Sequence, residues 1–298
     1  MYIPSQITDA HHHLWDLSYC HYPWLMERGV KRFFGDPAPI QRDYLVEDLR
    51  ADFADLPVTK SVHVQVGVAL EDSLKETRWL QTSADKGGLP NAIVAFADLC
   101  ADDLGAVLDQ HSECTAFRGV RQIVGRSAEE DAKSGTNTLL SNPKFAEGLR
   151  ELANRGLSFD LQLTPPLMEG AAQVLSQIDG LKVALCHAGS PSDLSPSGTK
   201  QWLSGLAKLA EIPGLMCKLS GFGMFDHDWS RPYAQMLIEP AIELFGPLRI
   251  AFGSNFPVDK LYKPYSETMG TYLEIVQGFT PAEIDAMFAG NADRFYLI

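Results

Sequence analysis

The sequence predicts a single-domain (β/α)8 barrel, the TIM-barrel fold of the α/β class. Short segments rich in Val, Ile, Leu and Phe alternate with amphipathic segments along the chain, as the strands of a parallel sheet alternate with their connecting helices. Eight such strands within 298 residues suit this barrel in number and length. A doubly wound open sheet is the competing fold, but the glycine-rich turn that usually follows its first strand is missing. The predicted strands are residues 7–13, 60–68, 92–99, 117–124, 157–163, 181–187, 215–220 and 249–254.

Two of the predicted helices have recognisable ends. Asn142 and Pro143 are typical of an N-cap and first helical position, and Gly156 is typical of a helix end. Thr280 and Glu283 have the spacing of a capping box, which predicts the start of the last helix. No repeat, low-complexity segment or linker interrupts the alternation, so residues 1–298 are predicted to form one domain.

The composition indicates a globular protein whose partner is a small molecule. The chain has 25 basic and 38 acidic residues, hence a net charge of −13, and its Lys and Arg residues are not clustered. Nucleic acids and anionic membranes both attract clustered basic residues, so neither is an expected partner. The cysteines are scattered, and the first residues lack the basic and apolar regions of a secretion signal, so we expect a cytoplasmic protein. No feature of the sequence indicates an oligomeric state.

The most informative segment is the end of the first predicted strand. His11 and His13 are two residues apart, so in a strand both side chains project from one face, while that of His12 projects from the other. Two imidazoles at the end of a strand are typical of a metal-ligand pair or an acid–base pair. The sequence therefore predicts a functional site at this end of the strand.

Polar residues also occur at the ends of most other predicted strands. Barrel enzymes place their chemistry at the C-terminal strand ends, so these residues predict a common pocket there. The long connection after the first strand, residues 14–39, carries aromatic side chains that either line this pocket or pack in the core. The strand-end residues are His63, Gln65, Arg121, Asp160, Gln162, His187, Lys218, Ser220 and Asn255, and the aromatic residues include Trp15, Tyr22 and Trp24.

Six short motifs occur in an order that resembles a known family. They are residues 9–16 (DAHHHLWD), 22–25 (YPWL), 119–121 (GVR), 186–189 (CHAG), 218–221 (KLSG) and 252–257 (FGSNFP). Together they resemble the amidohydrolase superfamily, in particular its sugar-lactonase-like branch of L-fuconolactonase, L-rhamnonolactonase and 2-pyrone-4,6-dicarboxylate lactonase relatives. The resemblance extends from about residue 7 to the C-terminus. It implies a (β/α)8 barrel and an enzyme that hydrolyses a lactone, ester or amide bond.

The resemblance also implies a site built from histidines. His11 and His13 match the first-strand pair, His187 matches the sixth-strand histidine, and Asn255 stands where a strand-eight aspartate is usual. Asparagine does not act as a base near neutral pH. One divalent ion, zinc by preference, is implied, with the three histidines as its ligands. The alternative is a metal-free site in which these histidines donate hydrogen bonds and exchange protons.

The predicted reaction is the attack of water on the carbonyl of a small lactone or lactone carboxylate. Because Asn255 does not titrate, the candidate bases are Asp160, His63 or a metal-bound hydroxide. Arg121 either binds a substrate carboxylate or the developing oxyanion, or forms a salt bridge with Asp160. The predicted catalytic residues are His11, His13, Asp160, His187 and Asn255, and the predicted substrate-binding residues are Trp15, Tyr22, Trp24, His63, Arg121 and Lys218.

Two other functions remain open at this point. A decarboxylase of aromatic acids belongs to the same superfamily and uses a similar set of histidines. A barrel that binds a small acid or a metal without turnover is the non-enzymatic alternative, because Asn255 replaces the usual aspartate. His227 and Asp259 are further polar candidates, for which a structural role in strand-end or loop regions is the favoured interpretation.

Overall fold

The computed structural model describes residues 1–298, and its eight strands form one sheet in sequence order. Each strand pairs in parallel with the next one along the chain. The strands are β1 (Ile7–His12), β2 (Val58–Val64), β3 (Ala92–Ala95), β4 (Phe117–Val120), β5 (Ser158–Leu161), β6 (Lys182–Leu185), β7 (Met216–Leu219) and β8 (Ile250–Phe252).

The sheet closes into a barrel where the segment after β8 meets the end of β1. The backbone N–H of Asn255 donates to the backbone carbonyl of His11, and the backbone N–H of His13 donates to the backbone carbonyl of Phe256, both at 2.7 Å. Gly253 permits this close approach, because a Cβ at that position would lie 2.6 Å from the Cβ of His11. The closure confirms the predicted (β/α)8 barrel and places both histidines of the first strand beside the end of the last one.

The observed strands lie within the predicted segments, with one exception. β2 begins at Val58, two residues before its predicted start at Lys60. Several predicted segments extend beyond the strands, because apolar residues such as Val68, Leu99 and Val124 are buried in the loops that follow β2, β3 and β4. The apolar pattern in the sequence therefore extends past the last hydrogen-bonded residues of these strands, because the loops that follow them are also buried.

The predicted helix starts are confirmed. The Asn142 side chain accepts a hydrogen bond from the amide of Lys144 at 3.1 Å, and the capping box of Thr280 and Glu283 is formed in both directions. No helix is both long enough and apolar enough to cross a membrane. The α-helices are Pro23–Met26, Val46–Phe53, Ser73–Gly87, Leu104–Ser112, Ala128–Ser134, Pro143–Asn154, Met168–Leu175, Pro196–Ala210, Arg231–Phe245, Tyr265–Ile275, Pro281–Asp285 and Asn291–Tyr296.

Candidate active site

Two residues with left-handed backbone conformations follow strands β6 and β8. His187 has a φ of 53° and Asn255 a φ of 58°. Residues other than glycine rarely adopt this conformation, and those that do are concentrated at functional sites. Both side chains line the same cavity at the C-terminal end of the barrel, as the strand-end pattern predicts.

Three of the predicted histidines lie in contact at this end of the barrel. The ring centroid of His11 is 4.5 Å from that of His187 and 5.1 Å from that of His13. All three side chains are buried. His12 instead places its Nε2 2.9 Å from the hydroxyl of Ser61 and does not line the cavity, as its opposite position on the strand predicts.

Both ring nitrogens of His13 have polar neighbours. Its Nδ1 donates to the carbonyl of Val64 at 2.6 Å, and its Nε2 lies 3.1 Å from the Oδ1 of Asn255. The amide of Asn255 donates in turn to the Oδ1 of Asp259 at 3.0 Å, and the backbone amide of Gly223 donates to the other oxygen of that carboxylate. A continuous polar chain thus leads from the cavity wall to a buried carboxyl group.

His187 has one ring nitrogen free for a ligand. Its Nδ1 lies 2.9 Å from the hydroxyl of Ser220, whereas its Nε2 has no hydrogen-bond partner in the protein. Gly221, with a φ of +73°, passes so close that a Cβ there would lie 2.5 Å from the Nδ1 of His187. The β7 end therefore fixes the orientation of the ring and leaves Nε2 for the cavity.

Burial keeps these imidazoles neutral. Burial, followed by the positive charge of Arg121, lowers the pKa of His187 well below its usual value and that of His13 to about 3. Burial, followed by the electrostatic effect of the adjacent His187 ring, also lowers the pKa of His11 well below its usual value. At neutral pH these rings are therefore uncharged, and each has one nitrogen with a free electron pair.

Arg121 supplies a positive charge to the cavity wall. Its Nη1 donates to the Oε1 of Gln162 at 2.7 Å, and its Nη2 donates to the carbonyl of Gln65. Its Nε is buried without a partner in the protein. The predicted salt bridge between Arg121 and Asp160 does not form, so the role of Arg121 in ligand binding is the one that this geometry supports.

The cavity has a volume of about 290 Å³, and its walls are aromatic, aliphatic, polar and charged. Five predicted site residues line it: His13, Trp24, Arg121, His187 and Asn255. His11 lies behind them in contact with His13 and His187. The remaining walls are Pro23, Arg32, Phe33, Phe34, Val66, Gly67, Ile123, Arg126, Glu130, Gln162, Met224 and Val258.

Three predicted substrate-binding residues are buried outside the cavity lining, and these predictions are corrected. Trp15 donates from its indole to the carbonyl of Arg42 at 2.6 Å and belongs to the core. The hydroxyl of Tyr22 donates to buried Glu76 at 2.7 Å. His63 accepts from the backbone amide of Leu14 at 3.1 Å and does not reach the cavity, either as a base or as a ligand-binding group. Hydrophobic burial has placed the aromatic pair in the core.

Asp160 and Lys218 form a buried ion pair rather than a catalytic or substrate-binding group. The Nζ of Lys218 lies 2.5 Å from the Oδ2 of Asp160, and both side chains are fully buried. The hydroxyl of Tyr296 donates to the same carboxylate at 2.9 Å. With its oxygens occupied in this way and no access to the cavity, Asp160 is not placed to activate a water molecule, and this prediction is also corrected.

Two basic cavity residues were not predicted from the sequence. Arg126 follows β4 by six residues, and Arg32 lies in the long connection after β1. Neither residue belongs to a strand end or to a motif. The one available signal is that Arg126 lies soon after the end of β4, and therefore near the C-terminal mouth of the barrel. Of the two minor candidates, His227 stacks on Tyr262 and Asp259 is buried behind Asn255, so neither lines the cavity.

The donor groups do not fit a three-histidine metal shell as they are arranged here. His11 and His187 have ring nitrogens without a hydrogen-bond partner in the protein, whereas the Nε2 of His13 faces the Oδ1 of Asn255 at 3.1 Å. No group of three or more His, Cys, Asp or Glu side chains is arranged to hold a metal ion. A zinc site of the usual kind needs at least three such ligands.

Comparison with known proteins places this chain among hydrolases. Residues 8–298 match the model of the amidohydrolase family. The chain is 38% identical to the uncharacterized protein y4mH of Sinorhizobium fredii over 98% of both chains, and 25% identical to an L-fucono-1,5-lactonase of Burkholderia multivorans over 97% of this chain and 95% of the relative. The crystal structure of an amidohydrolase from Burkholderia multivorans with bound Zn superimposes with a TM-score of 0.83 at 25% identity, over 98% of this chain and 99% of that chain.

Proposed function

Because this chain belongs to the amidohydrolase family, we propose that it hydrolyses the ester bond of a small lactone in the cavity at the barrel mouth. One observation carries the proposal. A neutral imidazole with a free Nε2, that of His187, lines the same cavity as the guanidinium of Arg121. A base and a positive charge on one cavity wall are what water-dependent acyl transfer requires. The lactonase relative at 25% identity supports a lactone as the substrate class.

His187 is the proposed base. With its Nδ1 proton donated to the hydroxyl of Ser220, the electron pair of Nε2 faces the cavity. As the oxygen of a water molecule bonds to the lactone carbonyl carbon, one water proton passes to this nitrogen. When the ring C–O bond breaks, the same proton passes to the departing alkoxide, so that water and lactone give a hydroxy acid.

Arg121 is the proposed stabiliser of the oxyanion. The carbonyl oxygen becomes negative as the tetrahedral intermediate forms, and a fixed positive charge in a buried setting lowers the energy of that state. The hydrogen bonds from Arg121 to Gln162 and Gln65 hold the guanidinium in place before the substrate arrives. Trp24 offers an aromatic face to the apolar side of a sugar-like ring.

The three-histidine zinc site stays a prediction. The reaction above uses protein groups alone. Elemental analysis of protein purified without chelators tests the point. Stoichiometric zinc that is lost when His11 or His187 is replaced would establish a metal site.

A substrate panel tests the proposed function. The panel contains aldonolactones, among them L-fucono-1,5-lactone, together with aromatic carboxylic acids, and the readouts are release of acid and release of CO2. We expect acid release from lactones, and we expect His187→Gln to lower kcat by about 100-fold or more. His21→Gln, an exposed histidine away from the cavity, is the matched control and should keep full activity.

The panel also separates the alternatives. Release of CO2 from aromatic acids, without lactone hydrolysis, would make the protein a decarboxylase. Tight binding of a lactone or acid, without turnover of any compound, would make it a binding protein in which Asn255 has removed the usual base. Either result would overturn the lactonase proposal.

A further inference from the structure

The cavity continues outward into a second compartment. This outer compartment has a volume of about 440 Å³ and shares Arg32, Phe33, Arg126 and Glu130 with the inner cavity. Its other walls are Val30, Lys31, Ser127, Glu129, Lys133 and Ser134. It lies between the long connection after β1 and the segment after β4, so a ligand held by His187 has room to extend past Arg126.

The outer compartment is positively charged although the protein is negatively charged. Four cationic side chains line it, against two carboxylates, whereas the whole chain carries a net charge of −13. Local charge of one sign in a cleft concentrates ligands of the opposite sign. The cationic residues are Lys31, Arg32, Arg126 and Lys133, and the carboxylates are those of Glu129 and Glu130.

These positive charges are largely free of protein partners. Arg32 forms an ion pair with Glu27 at 2.8 Å, but Lys31, Arg126 and Lys133 form none. The guanidinium of Arg126 is half-buried and donates no hydrogen bond, although Glu130 lies only one helical turn further along the chain.

Three arginines around the joined cavities share one further feature. Arg32, Arg121 and Arg126 each have a buried Nε without a hydrogen-bond partner in the protein. A buried donor without a partner is unfavourable, and more so when it is charged, unless a ligand supplies the acceptor. Anionic oxygens are the acceptors that guanidinium groups bind best.

We propose that the outer compartment binds an acidic group of the substrate, a carboxylate or a phosphate, through Arg126 with the help of Lys133. This inference rests on the proposed lactonase function and names its substrate class: lactones that carry an anionic group at the end of the molecule opposite the lactone carbonyl. The ring occupies the inner cavity beside His187 and Trp24, and the acidic group lies beyond it.

Matched pairs of lactones test the proposal. One pair is glucono-1,5-lactone and its 6-phosphate; the other is glucono-1,4-lactone and the glucaro-1,4-lactone in which C6 is a carboxylate. We expect the acidic member of at least one pair to have a kcat/KM about tenfold higher, because a charged hydrogen bond contributes roughly that much. The pair that shows the preference identifies the acidic group as phosphate or carboxylate.

Variants locate the effect. Arg126→Gln should raise KM for the acidic lactone about tenfold and change KM for the neutral lactone much less. Lys133→Gln, on the exposed rim, should act in the same direction and serves if the first variant does not fold. Arg78→Gln is the matched control, because Arg78 pairs with Glu113 on the surface away from both compartments and should change neither value.

Equilibrium binding separates failure of this inference from failure of the proposed function. Inorganic phosphate and glutarate are the probes, titrated calorimetrically into wild-type protein and Arg126→Gln. Anion binding that depends on Arg126, in a protein that hydrolyses no lactone, would support the compartment and overturn the lactonase function. Equal kcat/KM within each pair, or an acidic preference that survives both Arg126→Gln and Lys133→Gln, would overturn the anionic compartment and leave the lactonase function standing.

Discussion

The amide of Asn255 donates a hydrogen bond to the buried carboxyl group of Asp259 at 3.0 Å. Burial raises the pKa of Asp259 to about 7, with the hydrogen bonds from Asn255 and Gly223 acting in the opposite direction. The other end of the same amide faces the Nε2 of His13. The side-chain amide of Asn255 thus lines the cavity, and the carboxyl group of Asp259 lies behind it without reaching the cavity.

The protonation of Asp259 bears on the orientation of this amide. A neutral imidazole donates from one nitrogen only, and His13 uses its Nδ1 to donate to Val64. A protonated Asp259 donates to Asn255 Oδ1 when the amide turns its NH2 group toward His13 Nε2. An ionised Asp259 accepts from the NH2 group instead, and this is the amide orientation in the structure.

Asn255→Asp should destabilise the protein above neutral pH. The substitution places two carboxyl groups in contact in a buried site, where they share one proton and cannot both ionise without cost. The shared proton raises their pKa in the folded state, so the stability of the variant falls as the pH rises. We expect urea unfolding to show a loss of about 3 kcal/mol at pH 8 and a much smaller loss at pH 5.

The exchanged double variant, Asn255→Asp with Asp259→Asn, is the control for this prediction. It restores one amide and one carboxylate in hydrogen-bonding contact, so most of the lost stability should return at pH 8. The double variant also places a carboxylate on the cavity wall. A double variant that remains as unstable as Asn255→Asp would show that the contact between Asn255 and Asp259 is not what stabilises this region.

Asp160→Asn should destabilise the barrel by removing the partner of Lys218. An ammonium group left without its carboxylate in a fully buried site lowers the free energy of unfolding by about 3–5 kcal/mol. Adding Lys218→Met removes the stranded charge and should recover much of this loss, measured by urea unfolding. Lactone hydrolysis should recover with it. A well-folded but inactive double variant would mean that Asp160 has a role in the reaction after all.

The sequence was most informative where a local pattern decides the structure. The apolar runs located all eight strands, and the strand-end positions of His11, His13 and His187 predicted that they lie together. Long-range pairing was not readable. Nothing local shows that Lys218, rather than Arg121, is the partner of Asp160, because the two residues are brought together only when the barrel closes.

Aromatic side chains show the same limit of local patterns. Trp15, Tyr22 and Trp24 occur in one loop with similar composition around them, yet only Trp24 lines the cavity. The difference depends on partners distant in sequence, such as Glu76 for the hydroxyl of Tyr22. The guanidinium of Arg126 was missed for a related reason, since its role comes from the space around it rather than from a motif.

Gly221→Ala should lower kcat by more than its loss of folding stability accounts for. An added Cβ would lie 2.5 Å from the Nδ1 of His187 and would displace the proposed base from Ser220. Gly214→Ala is a close control, because Gly214 has a φ of +74°, against +73° for Gly221, but no atom lies within 4 Å of an added Cβ. Both variants should lose about 1 kcal/mol of stability from backbone strain. Equal effects of the two variants on kcat would contradict the placement of His187 as the base.

Glu76→Gln should remove part of the pH dependence of stability. The side chain of Glu76 is fully buried, its Oε1 accepts from Tyr22, and its Oε2 has no partner. Burial raises its pKa from 4.5 to about 7, so the folded protein binds this proton more tightly than the unfolded chain does. The stability that Glu76 contributes is therefore complete below about pH 4.5 and is lost as the pH rises to about 7. A glutamine keeps the acceptor for Tyr22 without a titrating proton, so its advantage over wild type in the free energy of unfolding should grow from near zero at pH 4 to about 3 kcal/mol at pH 8.

Because Asp9 and Asp259 titrate in the same window, with pKa values of about 6 and 7, the quantity to measure is the difference between variant and wild type at each pH. The exposed Glu71→Gln serves as the control and should show no such trend. A constant difference between Glu76→Gln and wild type from pH 4 to pH 8 would mean that Glu76 titrates normally in the folded protein.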